Sequence, residues 1–356
     1  MEFDRLLSKY VKIVDKVAET ECNRSIRNAK KLGEANVYYY KAAKEFLIRG
    51  GKRLRPVSFI LAYLGVAGRK NLKEAVKAAL SIELMHNGTL SHDDIMDQDR
   101  LRRGGPTSWV VFSDWYKKKF GIIGAEHFGE SIAILQGDTF TSFGFSQLFD
   151  RNFPAKQVLE TARCMNKYYT IVVEGQLRDM VFEKMKKEID EKEYLNMVNM
   201  KTGALFEAAV VMGATLAGAP QKKIELLKKY AVPVGQAFQI QDDILGVFGK
   251  PEKFGKPTDS DIKEGKRTLL VIRALQKAKP AERRIIQRTL GNRKARPSEV
   301  DAVRRIMQKT GAVEYCRLKA KKLALKGKSY IKKLKLKDES EKFFLGLADY
   351  VVNRET

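Results

Sequence analysis

The feature that most constrains this chain is a helical stripe that turns from apolar to acidic. Leu72, Ala75, Val76, Ala79 and Leu80 recur at steps of three and four, and the stripe runs on through Ile82, His86, Leu90, Asp93 and Asp97. A fold that sets carboxylates on a core face must supply cations, strong hydrogen bonds or a polar cavity to offset their desolvation. The device occurs twice, because Ala231, Val234, Gly235, Phe238 and Asp242 also share one face, with Asp243 beside it in QDDILG. Most of the remaining sequence also reads with a helical period, and short β-branched stretches such as 171–173 lie inside longer helical patterns. With 9 prolines in 356 residues, no Pro/Ser-rich linker and no repeat of fixed period, the expectation is an all-α fold, a single large helical domain over residues 1–356.

Hydrophobic residues at 44% and charged residues at 31% exclude wholesale disorder and fibrous organisation. Cys22, Cys164 and Cys316 show no CxxC spacing, so neither a disulfide framework nor a thiolate zinc site is expected, and a cytoplasmic setting fits. The first residues mix charges of both signs without a signal-peptide core, and no apolar run approaches membrane-spanning length. Lys and Arg number 68 against 43 Asp and Glu, a formal +25 that calls for an anionic partner: nucleic acid, an anionic membrane surface or a phosphate-bearing metabolite. Inward carboxylates give a nucleic-acid binder no advantage, so no nucleic-acid partner is expected. Within the basic helical part 298–356, the Lys-rich run 317–337 reads as a solvated helix face, with weak peripheral membrane association as the alternative.

Aspartates four apart lie one helical turn apart, and hard oxygen ligands suit Mg²⁺ rather than zinc. Gly50 and Gly51 form a turn that feeds a helix with Pro56 near its first position, so that Lys52, Arg55 and free N–H groups are aimed at an anion. Arg102 and Arg103 follow the first acidic helix directly, and Gly104, Gly105 and Pro106 end it. Carboxylates beside basic loops describe an ionic site for a diphosphate held through metal.

Taken in order, GGKRLRP, HDDIMDQDRLRRG, GQLRD, KTG and FQIQDDILG followed by GKPTDSDIKEGKRT resemble the trans-isoprenyl diphosphate synthases. The similarity covers residues 45–275, extends to YVVNR beyond them, and is strongest to archaeal geranylgeranyl diphosphate synthases. It implies the all-helical isoprenoid synthase fold with a central cavity, and a homodimer. The implied activity is Mg²⁺-dependent, head-to-tail condensation of isopentenyl diphosphate with dimethylallyl, geranyl or farnesyl diphosphate, with release of diphosphate. Residue by residue, the resemblance implies that Asp93 and Asp97 hold two Mg²⁺ ions and Asp242 a third, with Asp94 and Asp243 in support. Arg102, Lys201 and Lys256 would receive the allylic diphosphate, with Lys266 as a further contact, and Thr202 and Gln239 would lie near the ionising carbon. Lys52, Arg55, His86 and Arg103 would hold isopentenyl diphosphate, and Gln176 and Asp179 would order metal-bound water.

Ionisation moves negative charge onto the departing diphosphate, so metals and fixed cations stabilise the transition state more than the ground state. Gly246 stands where many relatives carry a third aspartate, a departure shared by archaeal relatives that activity is expected to survive. Gly88, Thr89 and Met85 occupy the turns that in this family form part of the tail-cavity floor. Gly88 cannot block a growing chain and Met85 is a softer stop, which implies a geranylgeranyl product, with twenty-five or more carbons as the alternative. A terpene cyclase would have no use for Lys52, Arg55 and His86, and the intact motifs argue against a non-catalytic subunit.

Overall fold

The computed structural model describes residues 2–185, 188–249 and 258–354. Among them, the all-α expectation holds: helices carry the chain, and the strand pairing is a two-residue ribbon, Leu101–Arg102 against Gly105–Pro106. The chain divides into two compact units. The first comprises Met1–Met165, Ala208–Ala219 and Lys337–Phe343, and the second Asn166–Glu207, Pro220–Leu336 and Phe344–Thr356.

The first unit contains α1 (Glu2–Ala29), α2 (Glu34–Ile48), α3 (Leu54–Ala67), α4 (Leu72–Met96), α5 (Ser108–Phe120) and α6 (Ala125–Ser146). Helix α1 buries Phe3, Leu6, Tyr10, Val14 and Ala18, a single face at steps of three and four. Helices α3 and α4 are covered on nearly every side, which is why their sequences are apolar around much of the circumference. Helix α4 packs on α6 at close range through glycine. A Cβ at Gly88 would lie 2.8 Å from the Gly137 carbonyl oxygen and 3.0 Å from Thr141 Oγ1. Gly88 is therefore a packing residue: a phenylalanine there would drive into α6, so it cannot serve as a simple reporter of chain length.

In the second unit lie most of α7 (Ala155–Lys184), then α8 (Glu191–Val198), a π-helical turn (Asn199–Gly203), the start of α9 (Ala204–Leu216) and α10 (Gln221–Phe248). They are followed by α11 (Ser260–Glu264), α12 (Leu269–Lys277), α13 (Pro280–Thr289), α14 (Pro297–Lys309), α15 (Ala312–Ile331) and the end of α16 (Asp338–Asn353). A reciprocal cap starts α8: Glu193 N–H donates to Asp190 Oδ1 at 2.7 Å, and Asp190 N–H to Glu193 Oε2 at 2.8 Å. Helix α10 packs along α15, and the π-helical turn packs on α10.

Candidate active site

In the first unit the acidic stripe of α4 is realised with one correction. The aspartate with no exposed surface is Asp94, whereas Asp93 and Asp97 are half-buried. The reason is that α4 has no narrow core face. Neighbours bury Asn87, Ser91 and Asp94, and the side left partly open carries His86, Asp93 and, at the helix's end, Asp97. The ribbon after α4 turns through Arg103 (φ 52°) and Gly104 (φ 72°), a double left-handed turn that suits a two-residue hairpin. It folds Arg102 back onto the helix end, where Nε donates to Asp94 Oδ1 and Nη2 lies 3.3 Å from Asp99 Oδ2 and 3.6 Å from Asp93 Oδ2. Burial opposes the charge on Arg102, but Asp94, Asp93 and Asp99 outweigh it and raise its pKa.

A second, cationic cluster forms nearby on the same unit. Arg55 Nη1 lies 3.1 Å from His86 Nε2. A guanidinium only donates, so His86 Nε2 accepts and its proton sits on Nδ1, which meets no acceptor among the described residues. Burial, reinforced by Arg55, Arg103, Arg102 and Arg53, holds the imidazole well below its usual pKa, so it is neutral. Gly51, at φ +112°, passes so near Arg103 that a Cβ would lie 3.3 Å from its Cζ. The GGKRLRP turn and the ribbon thus bring Arg55, His86 and Arg103 together, with Lys52 half-buried beside Gly51. Burial and the neighbouring Arg53, Arg102 and Arg55 lower the pKa of Arg103 against the pull of Glu83, the mark of cations crowded without enough anion.

The middle cation of GGKRLR has a different task, which the sequence reading did not single out. Arg53 is buried at φ 48° and donates to Asp15 Oδ1 at 2.8 Å, to Glu83 Oε1 at 2.7 Å and to the Leu47 carbonyl at 2.7 Å. Glu83 also accepts from Asn87 Nδ2 at 2.9 Å, and Asn87 Oδ1 accepts from Arg103 at 3.3 Å. This relay anchors the turn from beneath. The one visible signal was Glu83, a carboxylate inside the apolar SIELM.

In the second unit the π-helical turn carries Lys201 and Thr202, and such single-turn bulges recur at functional sites. Lys201 Nζ donates to Asp179 Oδ2 at 2.6 Å; Lys266 Nζ lies 3.4 Å from the same oxygen and 2.6 Å from Glu183 Oε1. Gln176 is one turn before Asp179 on α7. Thr202 Oγ1 donates to Gln239 Oε1 at 2.8 Å, and Gln239 Nε2 donates to Asp243 Oδ1 at 2.8 Å. The carboxylate of Asp243 therefore sets the amide's orientation, and with its hydrogen committed to Gln239 the Thr202 oxygen has lone pairs to offer elsewhere.

Asp243 is buried, like Asp94, but its partners are neutral. Tyr194 OH donates to Oδ2 at 2.6 Å and Gln239 to Oδ1. Burial, then the Asp261 and Asp242 charges, push its pKa up to about 8, against the two hydrogen bonds. Burial and the same carboxylate raise Tyr194 well above its usual value. Asp242 is the half-buried member of the pair. Arg354, the last residue of YVVNR, donates from Nη2 to Asp242 Oδ1 and to the Phe238 carbonyl at 3.0 Å, and stacks 3.8 Å over the Phe238 ring. Asp261 answers the missing third aspartate: a Cβ at Gly246 would lie 2.6 Å from Asp261 Oδ2, so α11 delivers a carboxylate to the space that a larger side chain would fill. Tyr194, Asp261 and Arg354 were not picked out as site residues, although GKPTDSDIKEGKRT contains Asp261 and YVVNR contains Arg354. Lys256 lies outside the described residues.

The donor chemistry fits Mg²⁺. Asp93, Asp97 and Asp242 are half-buried hard carboxylates at helix ends, and among the described residues no three Asp, Glu, His or Cys side chains enclose an ion by themselves. Each of these carboxylates is a hard oxygen ligand of the kind that Mg²⁺ takes together with water and phosphate.

The chain is similar to known proteins. The family model described as polyprenyl synthetase matches residues 36–307. A geranylgeranyl diphosphate synthase from Methanosarcina mazei is 38% identical over 89% of this chain and 90% of its own length. A geranylfarnesyl diphosphate synthase from Aeropyrum pernix is 35% identical over 88% and 93%. The crystal structure of a geranylgeranyl pyrophosphate synthase from Corynebacterium glutamicum, complexed with isoprenyl diphosphate and magnesium, superposes with a TM-score of 0.92 at 29% identity, covering 98% of this chain and 99% of that one.

Proposed function

The chain belongs to the polyprenyl synthetase family and has its all-α isoprenoid synthase fold, and on that premise we propose a short-chain trans-prenyltransferase that joins isopentenyl diphosphate head-to-tail to an allylic diphosphate. The product is a geranylgeranyl-type diphosphate, with a twenty-five-carbon product as the alternative that the Aeropyrum relative supports. The observation that carries the reading is a cationic cluster of Arg55, His86 and Arg103 separate from the carboxylates of Asp93, Asp94 and Asp97. One diphosphate calls for carboxylates through metal; a second, metal-free anion pocket is what a two-substrate condensation adds and a cyclase lacks.

Asp93, Asp97 and Asp242 would hold Mg²⁺, which would supply the charge that makes diphosphate a leaving group; we assign three ions per site. Arg102, Lys201 and Lys266, with Lys256, add fixed positive charge where the diphosphate becomes more negative. The bond between the allylic carbon and its diphosphate oxygen breaks, and the carbocation is stabilised by resonance, by the Lys201 carbonyl and by the oxygens of Thr202 and Gln239. The double bond of isopentenyl diphosphate, oriented by Lys52, Arg55, His86 and Arg103, attacks that carbon, and the released diphosphate takes the remaining proton. No side chain serves as nucleophile, and alignment of the substrates supplies much of the advantage. Gln176 and Asp179 would order water beside the diphosphate. Met85 and Thr89 limit chain length.

The protein acts in the cytoplasm as a homodimer. Support for the dimer comes from exposed Phe120, Ile122, Ile123 and Leu135 on and between α5 and α6. Incubation with labelled isopentenyl diphosphate, each allylic starter in turn, and Mg²⁺ or EDTA, followed by chromatography of the dephosphorylated products, tests activity and chain length together. Metal-dependent elongation to twenty carbons is expected; failure to elongate any starter would overturn the reading.

A further inference from the structure

Helix α15 has two unlike faces. Its inner face, Cys316, Ala320, Ala324, Gly327 and Ile331, is buried, and small side chains let it seat closely on α10: a Cβ at Gly327 would lie 2.6 Å from Val234 Cγ2. On the opposite side Leu318 and Leu325 are 57% and 65% exposed. They are seven positions apart, so they share one line along the helix. Lys321 and Lys322 lie between them on either side of that line, and Arg317, Lys326 and Lys332 flank it, all exposed. Among the described residues no carboxylate forms an ion pair with any of these five cations, and the one acid on this face, Glu314, sits in the first turn. Leucines aligned on the midline of a face flanked by cations are the pattern of a helix that lies in a membrane interface, and a nucleic-acid backbone makes no use of the leucines.

We infer that this face of α15 docks on an anionic lipid surface, with Leu318 and Leu325 entering the headgroup boundary and the flanking cations pairing with lipid phosphate. Lysines attract the negative bilayer and screen with salt, while the leucines add a salt-insensitive part through apolar burial. No helix among the described residues is long and apolar enough to cross a membrane, so the attachment is peripheral and reversible. The inference does not depend on catalysis and is tested without it.

The full-length protein is floated with phosphatidylcholine vesicles containing about one-third phosphatidylglycerol, with pure phosphatidylcholine vesicles in parallel. Binding to the anionic vesicles alone, weakening as salt rises, is expected. Leu318→Gln with Leu325→Gln keeps the net charge and should weaken binding roughly tenfold. Lys321→Gln, Lys322→Gln, Lys326→Gln and Lys332→Gln together should weaken it roughly a hundredfold or more. All six side chains are exposed, so thermal unfolding midpoints should stay near that of the parent and separate lost docking from lost folding. Vesicle binding that ignores the leucine pair would overturn the inference, as would absence of binding to anionic vesicles. Retention on a duplex DNA oligonucleotide that exceeds vesicle binding and is equally strong in the leucine variant would reassign the strip to polyanions.

Discussion

The aspartate pairs at the ends of α4 and α10 have the same sequence pattern and opposite electrostatic solutions. In both, the first aspartate is half-buried and the second is buried, so the division between a carboxylate that can reach a ligand and one that holds the scaffold recurs. At α4 the buried Asp94 is compensated by a full charge, Arg102. At α10 the buried Asp243 is compensated by the neutral donors Tyr194 and Gln239, and burial with Asp261 and Asp242 pushes it up to about 8. The first arrangement depends on charge and the second on hydrogen-bond geometry, which also fixes the Gln239 amide and the Thr202 hydroxyl.

Substitutions that remove charge and keep shape separate the two. Asp94→Asn should lower the unfolding free energy in urea by about 3 kcal/mol, because it takes from the half-buried Arg102 guanidinium its nearest counter-charge, whereas Asp243→Asn should cost about 1 kcal/mol. Equal losses would break the comparison. Among the half-buried members, Asp93→Ala should lower turnover about a hundredfold or more while barely moving the unfolding midpoint, whereas Asp242→Ala should lower turnover as much and also destabilise the fold, because it takes the counter-charge from buried Arg354, measured by product formation and thermal melts. Tyr194→Phe, which leaves Asp243 Oδ2 without its donor, should cost about 1 kcal/mol of stability and lower kcat more than it raises KM.

The comparison extends to pH. His86 is held neutral with its pKa below the usual value, so the unfolded chain binds a proton first as pH falls. Its contribution to stability is present above about pH 6.5 and is lost below it, and His86→Gln should flatten the unfolding free energy in that range. The smallest effect concerns Arg354, which meets Asp242 at the position proposed for metal. Arg354→Gln should lower the Mg²⁺ concentration for half-saturation by about twofold to threefold, read by calorimetry without substrate, since Arg354 is buried but Asp242 is 26% exposed, and solvent screening at the carboxylate holds its competition with the ion to about 1 kcal/mol or less. An unchanged titration would show that Arg354 closes the site without competing for Asp242.

Much of this was legible in one dimension because helices report themselves locally. The period of α4 placed acidic residues at its end and that of α10 placed them on its stripe, although α10 runs on to Phe248, and the order of GGKRLRP, the two aspartate pairs and KTG carried the family. The same local reading mistook the most buried carboxylate, naming the stripe of Asp93 and Asp97 when α4 is enclosed on nearly all sides and Asp94 lies deepest. It also gave no separate task to Arg53, which lies between Lys52 and Arg55 in sequence and is drawn under the turn by Asp15 and Glu83.

By itself, then, the sequence determined an all-helical chain, two acidic helix ends beside basic turns, and the chemistry of Mg²⁺ and diphosphate that those residue types serve. Those properties depend on neighbours three and four positions away and on side-chain identity. Only the tertiary structure decided which aspartate of each pair is buried, that Gly88 packs against Gly137, that Asp261 fills the space above Gly246, and that Arg354 caps Asp242. Each of those is a contact between residues from 15 to 112 positions apart in sequence, or the burial such contacts produce, and no local period encodes which distant side chain completes a pocket.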